Sequence, residues 1–302
     1  MKKMRLHIYI VLGVFIIGFI LGTFLDISVT EAIFSRDNGF GLTVAALGVT
    51  PGYMILAILG GGYFALALHK QYKVVYKVLM YIFAVVLYGL AVYYSGREIF
   101  GVNGFNQKGL MWLGYLICGV IGLGCAYLGY VLTKKSKNEN LWLIYAIVAA
   151  CIFMALVPGV SLIKSIFHRP RYRTLSLYDG IDFYPWYKRC GNYKELMETF
   201  NLTSEEFKSF PSGHTGASGV FMIFALILPL LDLKYERLQL PLFYAGFAFC
   251  LFVAFTRILV GAHFLSDVSM GGILTSVFML VNNEVIIAVD KKKKLILEAE
   301  VE

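Results

Sequence analysis

The sequence predicts an all-α integral membrane protein, a polytopic bundle of about eight transmembrane helices, and its composition and hydropathy pattern are the observations that predict it. Hydrophobic residues make up 59% of the 302-residue chain, charged residues only 15%, and the mean hydropathy is +0.72. Soluble globular domains carry about 25% charged residues. The apolar residues also fall into runs of about 20, the length that a helix needs to cross a bilayer.

Eight such runs follow one another along the chain, and the second, which is short and rich in glycine, is the weakest candidate. They are residues 7–25, 52–68, 76–95, 110–133, 141–163, 216–232, 239–256 and 268–289. The first run follows MKKMR but is longer than the apolar part of a signal peptide and lacks a cleavage site, so we interpret it as an uncleaved anchor. Glycines at helical spacing in the fourth run predict close helix packing. We interpret residues 1–302 as one membrane domain.

Charge placement predicts the orientation of this bundle. Lysine and arginine beside the ends of spans favour the cytoplasmic side, most strongly in short loops. With eight spans, every basic cluster falls on the same side, which predicts that both termini are cytoplasmic. The clusters are Lys2, Lys3 and Arg5; Lys70, Lys73 and Lys77; Lys134, Lys135 and Lys137; Lys234 and Arg237; and residues 291–294. Topology thus accounts for the net charge of +8, and no nucleic-acid partner is needed to explain it.

The segments on the opposite, extracytoplasmic side are 26–51, 96–109, 257–267 and the long loop 165–210. The long loop interleaves aromatic and charged residues in YDGIDFYPWYKRCGNY. We expect Trp186 and the tyrosines to lie at the level of the lipid headgroups, with direct contact to a substrate as the alternative. Cys190 is the one cysteine of this loop, and the other four fall within spans, so no internal disulfide framework is expected.

Three polar stretches lie at outer helix ends under this topology, although none of them was used to derive it. They are KSIFHRPRYR (164–173), FPSGHTGAS (210–218) and TRILVGAHFLSD (256–267). The first places four cations, Lys164, Arg169, Arg171 and Arg173, on the face where the charge rule disfavours them. A bound anion explains them, since guanidinium groups match phosphate oxygens. Snorkelling of the side chains to the interface is the alternative.

The second stretch predicts a helix start. Pro211 suits the beginning of a helix. Ser212 and Gly213 would then offer free backbone N–H groups and a hydroxyl at the positive end of the helix dipole, a position that binds phosphate-like anions. An ordinary serine cap is the alternative, and His214 beside it weighs slightly toward a functional site.

The third stretch places His263 and Asp267 four residues apart, on one face of a helix. A carboxylate that accepts a hydrogen bond from one ring nitrogen fixes the tautomer and leaves the other nitrogen as a nucleophile. There are two alternatives to a catalytic pair. The histidine and the aspartate could simply hydrogen-bond to each other at the membrane interface, or they could belong to a metal site. A metal needs more ligands, and the acidic residues of the outer loop show no ligand spacing. Together the three stretches contain the groups that phosphoryl transfer requires.

In order and spacing, the stretches resemble the signature of the type 2 phosphatidic acid phosphatase (PAP2) superfamily, which is K-x6-R-P, P-S-G-H and S-R-x5-H-x3-D. Tyr172 stands where the first motif has proline, and Thr256 stands where the third has serine. The resemblance covers about residues 140–289. The matching residues are Lys164, Arg171, Pro211, Ser212, Gly213, His214, Arg257, His263 and Asp267.

The resemblance implies a role for each matching residue. His263 is similar to the nucleophile that forms a phosphohistidine, and Asp267 is similar to the acid that orients it. His214 resembles the general acid that protonates the leaving oxygen and then activates water. Family members of the lipid phosphatase type work without a metal, so the resemblance implies no cofactor. The residues that resemble the phosphate cradle are Lys164, Arg171, Ser212, Gly213 and Arg257.

The family usually has six spans, so we interpret the runs at 76–95 and 110–133 as an inserted pair, which leaves the side of the active site unchanged. The resemblance implies a lipid phosphatase that acts on a lipid phosphate or diphosphate at the outer leaflet. A lipid phosphotransferase with the same intermediate, a transporter and an inactive family member are the alternatives. A transporter is disfavoured because the spans hold few ionisable residues. The residues do not choose among isoprenyl diphosphates, phosphatidylglycerol phosphate and phosphatidate, and the oligomeric state stays open.

Overall fold

The computed structural model describes residues 2–101 and 104–299, and within these ranges the chain is helical and contains no strand. Eight segments in the described ranges are long and apolar enough to cross a membrane, and each overlaps one predicted run, with ends that differ by up to 13 residues. The predicted all-α polytopic bundle is confirmed, and the protein is a multi-pass membrane protein. The segments are Met4–Ile33, Gly39–His69, Val74–Ile99, Lys108–Lys134, Leu141–Leu175, Gly213–Leu231, Leu233–Leu259 and Leu265–Val289.

Thirteen α-helices make up the described chain, joined by short 3₁₀ turns, and one π-helical segment, Ala155–Leu162, continues the sixth of them. The α-helices are α1 (Lys2–Ile33), α2 (Gly39–Leu47), α3 (Thr50–His69), α4 (Val74–Ile99), α5 (Met111–Lys134), α6 (Leu141–Met154), α7 (Ile163–Phe167), α8 (Tyr172–Leu175), α9 (Tyr193–Thr199), α10 (Gly213–Gly219), α11 (Phe221–Leu231), α12 (Glu236–Leu259) and α13 (Leu265–Ala299).

The segment 26–51, predicted as an outer loop, is largely helical. Helix α1 continues to Ile33 because its buried polar groups find partners: the Thr30 hydroxyl donates to the Asp26 carbonyl at 2.7 Å. Helix α2 then forms behind Asn38, whose side-chain oxygen accepts a hydrogen bond from the Gly41 N–H at 2.9 Å. Such a cap stabilises a helix start by about 1 kcal/mol. The hydropathy pattern ended the span too early because it scored Asp26 as a boundary.

Two groups of helices pack around α3. Helices α10, α12 and α13 pack on one another, with α1 lying along α13, whereas α4 and α5 pack mainly on each other and on α3. The backbones of α3 and α5 touch: a Cβ added to Gly61 would lie 1.8 Å from the Ala126 carbonyl oxygen, and one on Gly129 would lie 1.9 Å from that of Ile58. The close packing predicted from the glycines of the fourth span is therefore confirmed. The α4–α5 hairpin lies at the side of the bundle, as an added pair would.

The loops that carry the basic clusters meet at one end of the bundle. The Lys70 ammonium donates to the Ser136 carbonyl at 3.1 Å, which joins the α3–α4 and α5–α6 connections. The Asn138 amide donates to the Leu230 carbonyl at 3.3 Å, which adds the end of α11. Since each span crosses the bundle, the three polar stretches lie at the opposite end.

The long loop folds at that opposite end as a small layer with its own apolar cluster of Ile181, Cys190, Leu196 and Phe207. Trp186 packs against Phe19 of α1 with ring centroids 4.7 Å apart, and its indole N–H donates to the Thr23 hydroxyl at 3.0 Å. The loop is thus fixed on helix α1 by an aromatic anchor.

Candidate active site

The first two polar stretches line one cavity at the end of the bundle, with a volume of about 430 Å³, and the third lies close by, since Arg257 and His263 act electrostatically on His214. Lys164, Gly213 and His214 line it, together with residues of α3 and α4. Arg171 and Arg257 lie deeper, each 1% exposed or less, and their charges act on His214 together with that of Lys164. The structure thus gathers positive charge from motifs almost 100 residues apart around one histidine.

His263 follows the end of α12 after Gly261, whose φ of +64° favours glycine. Its Nδ1 lies 2.6 Å from the Ser209 carbonyl oxygen. A carbonyl only accepts, so Nδ1 carries the hydrogen and Nε2 keeps its lone pair. Burial lowers the pKa of His263, the nearby cations add to this effect, and the Asp267 carboxylate opposes it less strongly. The imidazole is therefore neutral at physiological pH, the state that a nucleophile requires.

Asp267 does not hydrogen-bond to His263, because its Oδ2 lies 3.8 Å from Nδ1. The carboxylate instead accepts from the Ser209 hydroxyl at 2.5 Å, from the Phe264 N–H at 2.8 Å and from Arg169 Nη1 at 2.5 Å. Ser209 stands between the two predicted partners, since its carbonyl accepts from His263 and its hydroxyl donates to Asp267. Asp267 therefore positions Ser209, and Ser209 in turn positions the His263 imidazole.

Arg169 is fully buried in an ion-pair network and does not face the cavity. Its Nη2 lies 2.8 Å from Asp26 Oδ2, its Nη1 bonds Asp267, and its guanidinium carbon lies 4.2 Å from the Phe264 ring centroid. Arg173 pairs with Glu206 in the same way. We had predicted a bound anion from four cations in this stretch. Because Arg169 and Arg173 are paired with carboxylates, only Lys164 and Arg171 are left to bind it.

Those two cations, Lys164 and Arg171, bind backbone carbonyls. Lys164 Nζ donates to the Lys208 carbonyl at 2.9 Å, and Arg171 donates to those of Glu205 at 2.8 Å and Ala262 at 2.9 Å. Carbonyl dipoles orient these groups without cancelling their charge, so both remain available to an anion.

Tyr172, in the place of the expected proline, leaves the local backbone intact. It begins helix α8, and the Thr174 N–H donates to the Arg171 carbonyl at 3.0 Å. The Tyr172 ring packs edge-on against Phe34, with centroids 4.9 Å apart. Aromatic packing thus accompanies the turn for which the family motif uses a fixed φ.

Ser212 is the N-cap of α10, with its hydroxyl accepting from the Thr215 N–H at 3.3 Å. Its backbone N–H donates to the Asp267 carbonyl at 2.9 Å, so the prediction that this amide is free was wrong. Gly213 is the first helical residue and lines the cavity, where the early N–H groups of a helix have no partner within the helix.

Arg257 is the most unusual group of the site. Its side chain is fully buried, and within the described ranges none of its three guanidinium nitrogens has a hydrogen-bond partner. Burying an unpaired charge costs several kcal/mol. The three nitrogens are donors that an anion with several oxygens would satisfy.

Glu98 and Ser209 contact the two histidines of the site but were not predicted from the sequence. His214 Nε2 lies 3.0 Å from the Ala45 carbonyl oxygen and 3.8 Å from Glu98 Oε2. Glu98 comes from α4, at a point in the sequence where no motif marks it, and Ser209 acts through its carbonyl. Asp26 carried a signal, since an acid within an apolar helix marks a functional or paired position.

Within residues 2–101 and 104–299, no three His, Cys, Asp or Glu side chains gather in a way that could hold a metal ion. The cavity lining includes three cations and two imidazoles beside two carboxylates, namely Arg97, Lys164, Lys208, His168, His214, Glu98 and Glu205. Fold and site together define a multi-pass membrane protein with buried cations and histidines at one end of its helical bundle.

The comparison with family models gives the class a name. Residues 140–286 match the model of the PAP2 superfamily, and this match supports membership of the chain in that superfamily. Members of that superfamily are phosphatases that act on phosphoesters, which supports a hydrolase activity for this protein. No curated protein and no solved structure matches the sequence significantly.

Proposed function

We propose that the protein hydrolyses a lipid phosphate or lipid diphosphate through a phosphohistidine on His263. The observation that carries the proposal is the buried guanidinium of Arg257, which has no hydrogen-bond partner among the described residues and whose charge acts on both His263 and His214. Phosphoryl transfer depends mainly on positioning and on stabilising the charge of the equatorial oxygens. Lys164, Arg171, Arg257 and the Gly213 N–H are the groups available for this task.

In the first step, His263 Nε2 attacks phosphorus, and the bond from phosphorus to the lipid oxygen breaks. The leaving oxygen takes a proton from His214. Because His214 Nε2 faces the Ala45 carbonyl, Nδ1 is the atom left for this proton transfer. With a hydrogen on Nε2 as well, the form of His214 that donates from Nδ1 is the imidazolium, and the Glu98 carboxylate lies 3.8 Å from Nε2.

In the second step, neutral His214 accepts a proton from water as the water oxygen attacks phosphorus. The bond from phosphorus to His263 Nε2 breaks, and phosphate leaves with His214 protonated again. The same residue acts as acid and then as base, which returns the enzyme to its starting state. The Ser209 carbonyl keeps the hydrogen on Nδ1 of His263 throughout.

A panel of lipid phosphates tests the hydrolase directly. The purified protein in detergent should release inorganic phosphate from a phosphatidate, a phosphatidylglycerol phosphate or an isoprenyl diphosphate in the presence of a strong chelator. Vanadate should inhibit, because it mimics trigonal-bipyramidal phosphorus. Loss of activity in chelator with recovery in magnesium would overturn the histidine mechanism, and transfer of the phosphoryl group to an acceptor other than water would favour the phosphotransferase.

The outer leaflet is the second part of the proposal, and the grouping of the basic clusters at the end opposite the cavity supports it. In intact cells, a membrane-impermeant thiol reagent should label Thr203→Cys near the cavity and leave Lys137→Cys unlabelled until the cells are opened. Both positions are exposed, so each variant is the accessibility control for the other. The reverse pattern would place the site on the cytoplasmic side.

A further inference from the structure

A second cavity adjoins the active-site cavity, on the side of the bundle formed by α3, α4 and α6. Its volume is about 370 Å³, and its lining is almost wholly apolar. We call it the apolar groove and define it by Leu87 and Leu90 of α4, Ala146 and Ala149 of α6, and Tyr63 of α3. Small alanine side chains on one wall leave the space open.

The groove and the active-site cavity share a boundary made of Tyr53, Tyr94 and Leu156, which line both. The two tyrosine rings stack with centroids 5.2 Å apart and an interplanar angle of 18°. The charges of Glu98 and Arg97 act on Tyr53. A molecule that crosses this boundary therefore passes from a polar to an apolar environment.

The groove opens sideways toward the bilayer. Phe83 and Val86 of α4 and Phe153 of α6 line it, and their exposed fractions are 51%, 48% and 49%. They belong to membrane-spanning segments, so what they face is lipid hydrocarbon. From Phe83 to Tyr94 the groove extends about 16 Å along α4, at about 1.5 Å per residue. Its length, its lining and its lateral opening suit one hydrocarbon chain.

We infer that the apolar groove holds one hydrocarbon chain of the lipid whose phosphate enters the active-site cavity, an inference that rests on the proposed function. Continuity with the cavity is the argument for this occupant, because a chain in the groove places its head group beside His214. Helix α4 supplies one wall and lies outside the matched residues 140–286. The hairpin outside the family match would therefore set the chain length and branching that the enzyme accepts.

Two plugged variants test the groove from opposite walls, Val86→Trp on α4 and Ala149→Phe on α6. Val85→Trp is the matched control, since Val85 is 71% exposed and does not line the groove. Activity is measured on a long-chain lipid phosphate and on a water-soluble aryl phosphate. Both plugs should lower kcat/KM for the lipid by about 10–100-fold, the range that small changes in an apolar pocket produce. The aryl phosphate should be hydrolysed as by the unmodified protein, and the control should leave both rates unchanged.

Equal losses on both substrates, or no loss on either, would overturn the inference. A second measurement does not depend on turnover or on a variant: a lipid phosphate with a photoreactive group midway along its chain should crosslink to peptides from 74–99 and 141–154. Crosslinking confined to other helices would also overturn it. If the crosslinks appear but no lipid phosphate is hydrolysed, binding of the hydrocarbon chain in the groove is supported and the proposed hydrolase activity is contradicted.

Discussion

Replacing His263 with alanine is expected to lower phosphate release from lipid phosphates by about 10⁵-fold or more, as the loss of a catalytic nucleophile does in other enzymes. The reason is structural. His263 is held by the Ser209 carbonyl with Nε2 free, and the lowered pKa that burial gives it keeps this nitrogen unprotonated. In the proposed mechanism no other group forms the covalent bond to phosphorus.

The intermediate itself provides the sharper measurement. Radiolabelled lipid phosphate mixed briefly with the enzyme and denatured in alkali should leave label on the protein that is stable to base and lost in acid. Label should be absent from His263→Ala. His69→Ala is the control for loss of an exposed histidine outside the cavity, and it should label normally. Normal labelling of His263→Ala would mean that another residue carries the phosphoryl group.

The sequence predicted the bundle because burial of a membrane span depends on local hydropathy alone. All eight runs became helices with the expected order. The helix ends were predicted less well. Helix α1 extends past Asp26, whose carboxylate accepts hydrogen bonds from Arg169, 143 residues away, and from Ser266. Local hydropathy does not identify a partner at such a separation, so the helical nature of 26–51 was missed although an acid in an apolar segment indicated a paired position.

For the site as well, the sequence predicted what local spacing determines and missed what distant contacts determine. Spacing correctly brought Lys164, Arg171, His214 and Arg257 to one place, because each motif lies at a helix end on the same side. It did not show that Ser209 separates His263 from Asp267, since a four-residue spacing fixes a shared face and not a hydrogen bond. Direct contact between an acid and a histidine has to be read from the fold.

The α4–α5 hairpin shows why the family match describes only part of this enzyme. Glu98 and Arg97 line the active-site cavity from α4, yet the matched residues begin at 140. The hairpin therefore adds charged groups to a site whose other charged residues come mainly from the matched part of the chain. Its glycine contacts with α3 fix where those groups stand, because helices that touch at the backbone have little freedom to shift.

Replacing Arg257 with methionine is expected to harm catalysis and to stabilise the empty protein. Phosphate release should fall by about 10³-fold, the upper end of what one lost donor to a transition-state oxyanion costs. Without a ligand, however, the variant should unfold at a higher temperature, because methionine fills similar volume without leaving a charge buried and unpaired. Arg237→Met, at an exposed position on the far end of the bundle, is the matched control.

Thermal unfolding in detergent with and without vanadate separates the two effects. Vanadate should raise the unfolding temperature of the unmodified protein and of Arg237→Met, since a ligand that binds only the folded state stabilises it. It should leave Arg257→Met unchanged. If Arg257→Met unfolds at a lower temperature and vanadate still stabilises it, then the guanidinium serves the packing of α12 and other groups hold the phosphate. That outcome would remove the observation on which the proposed function rests.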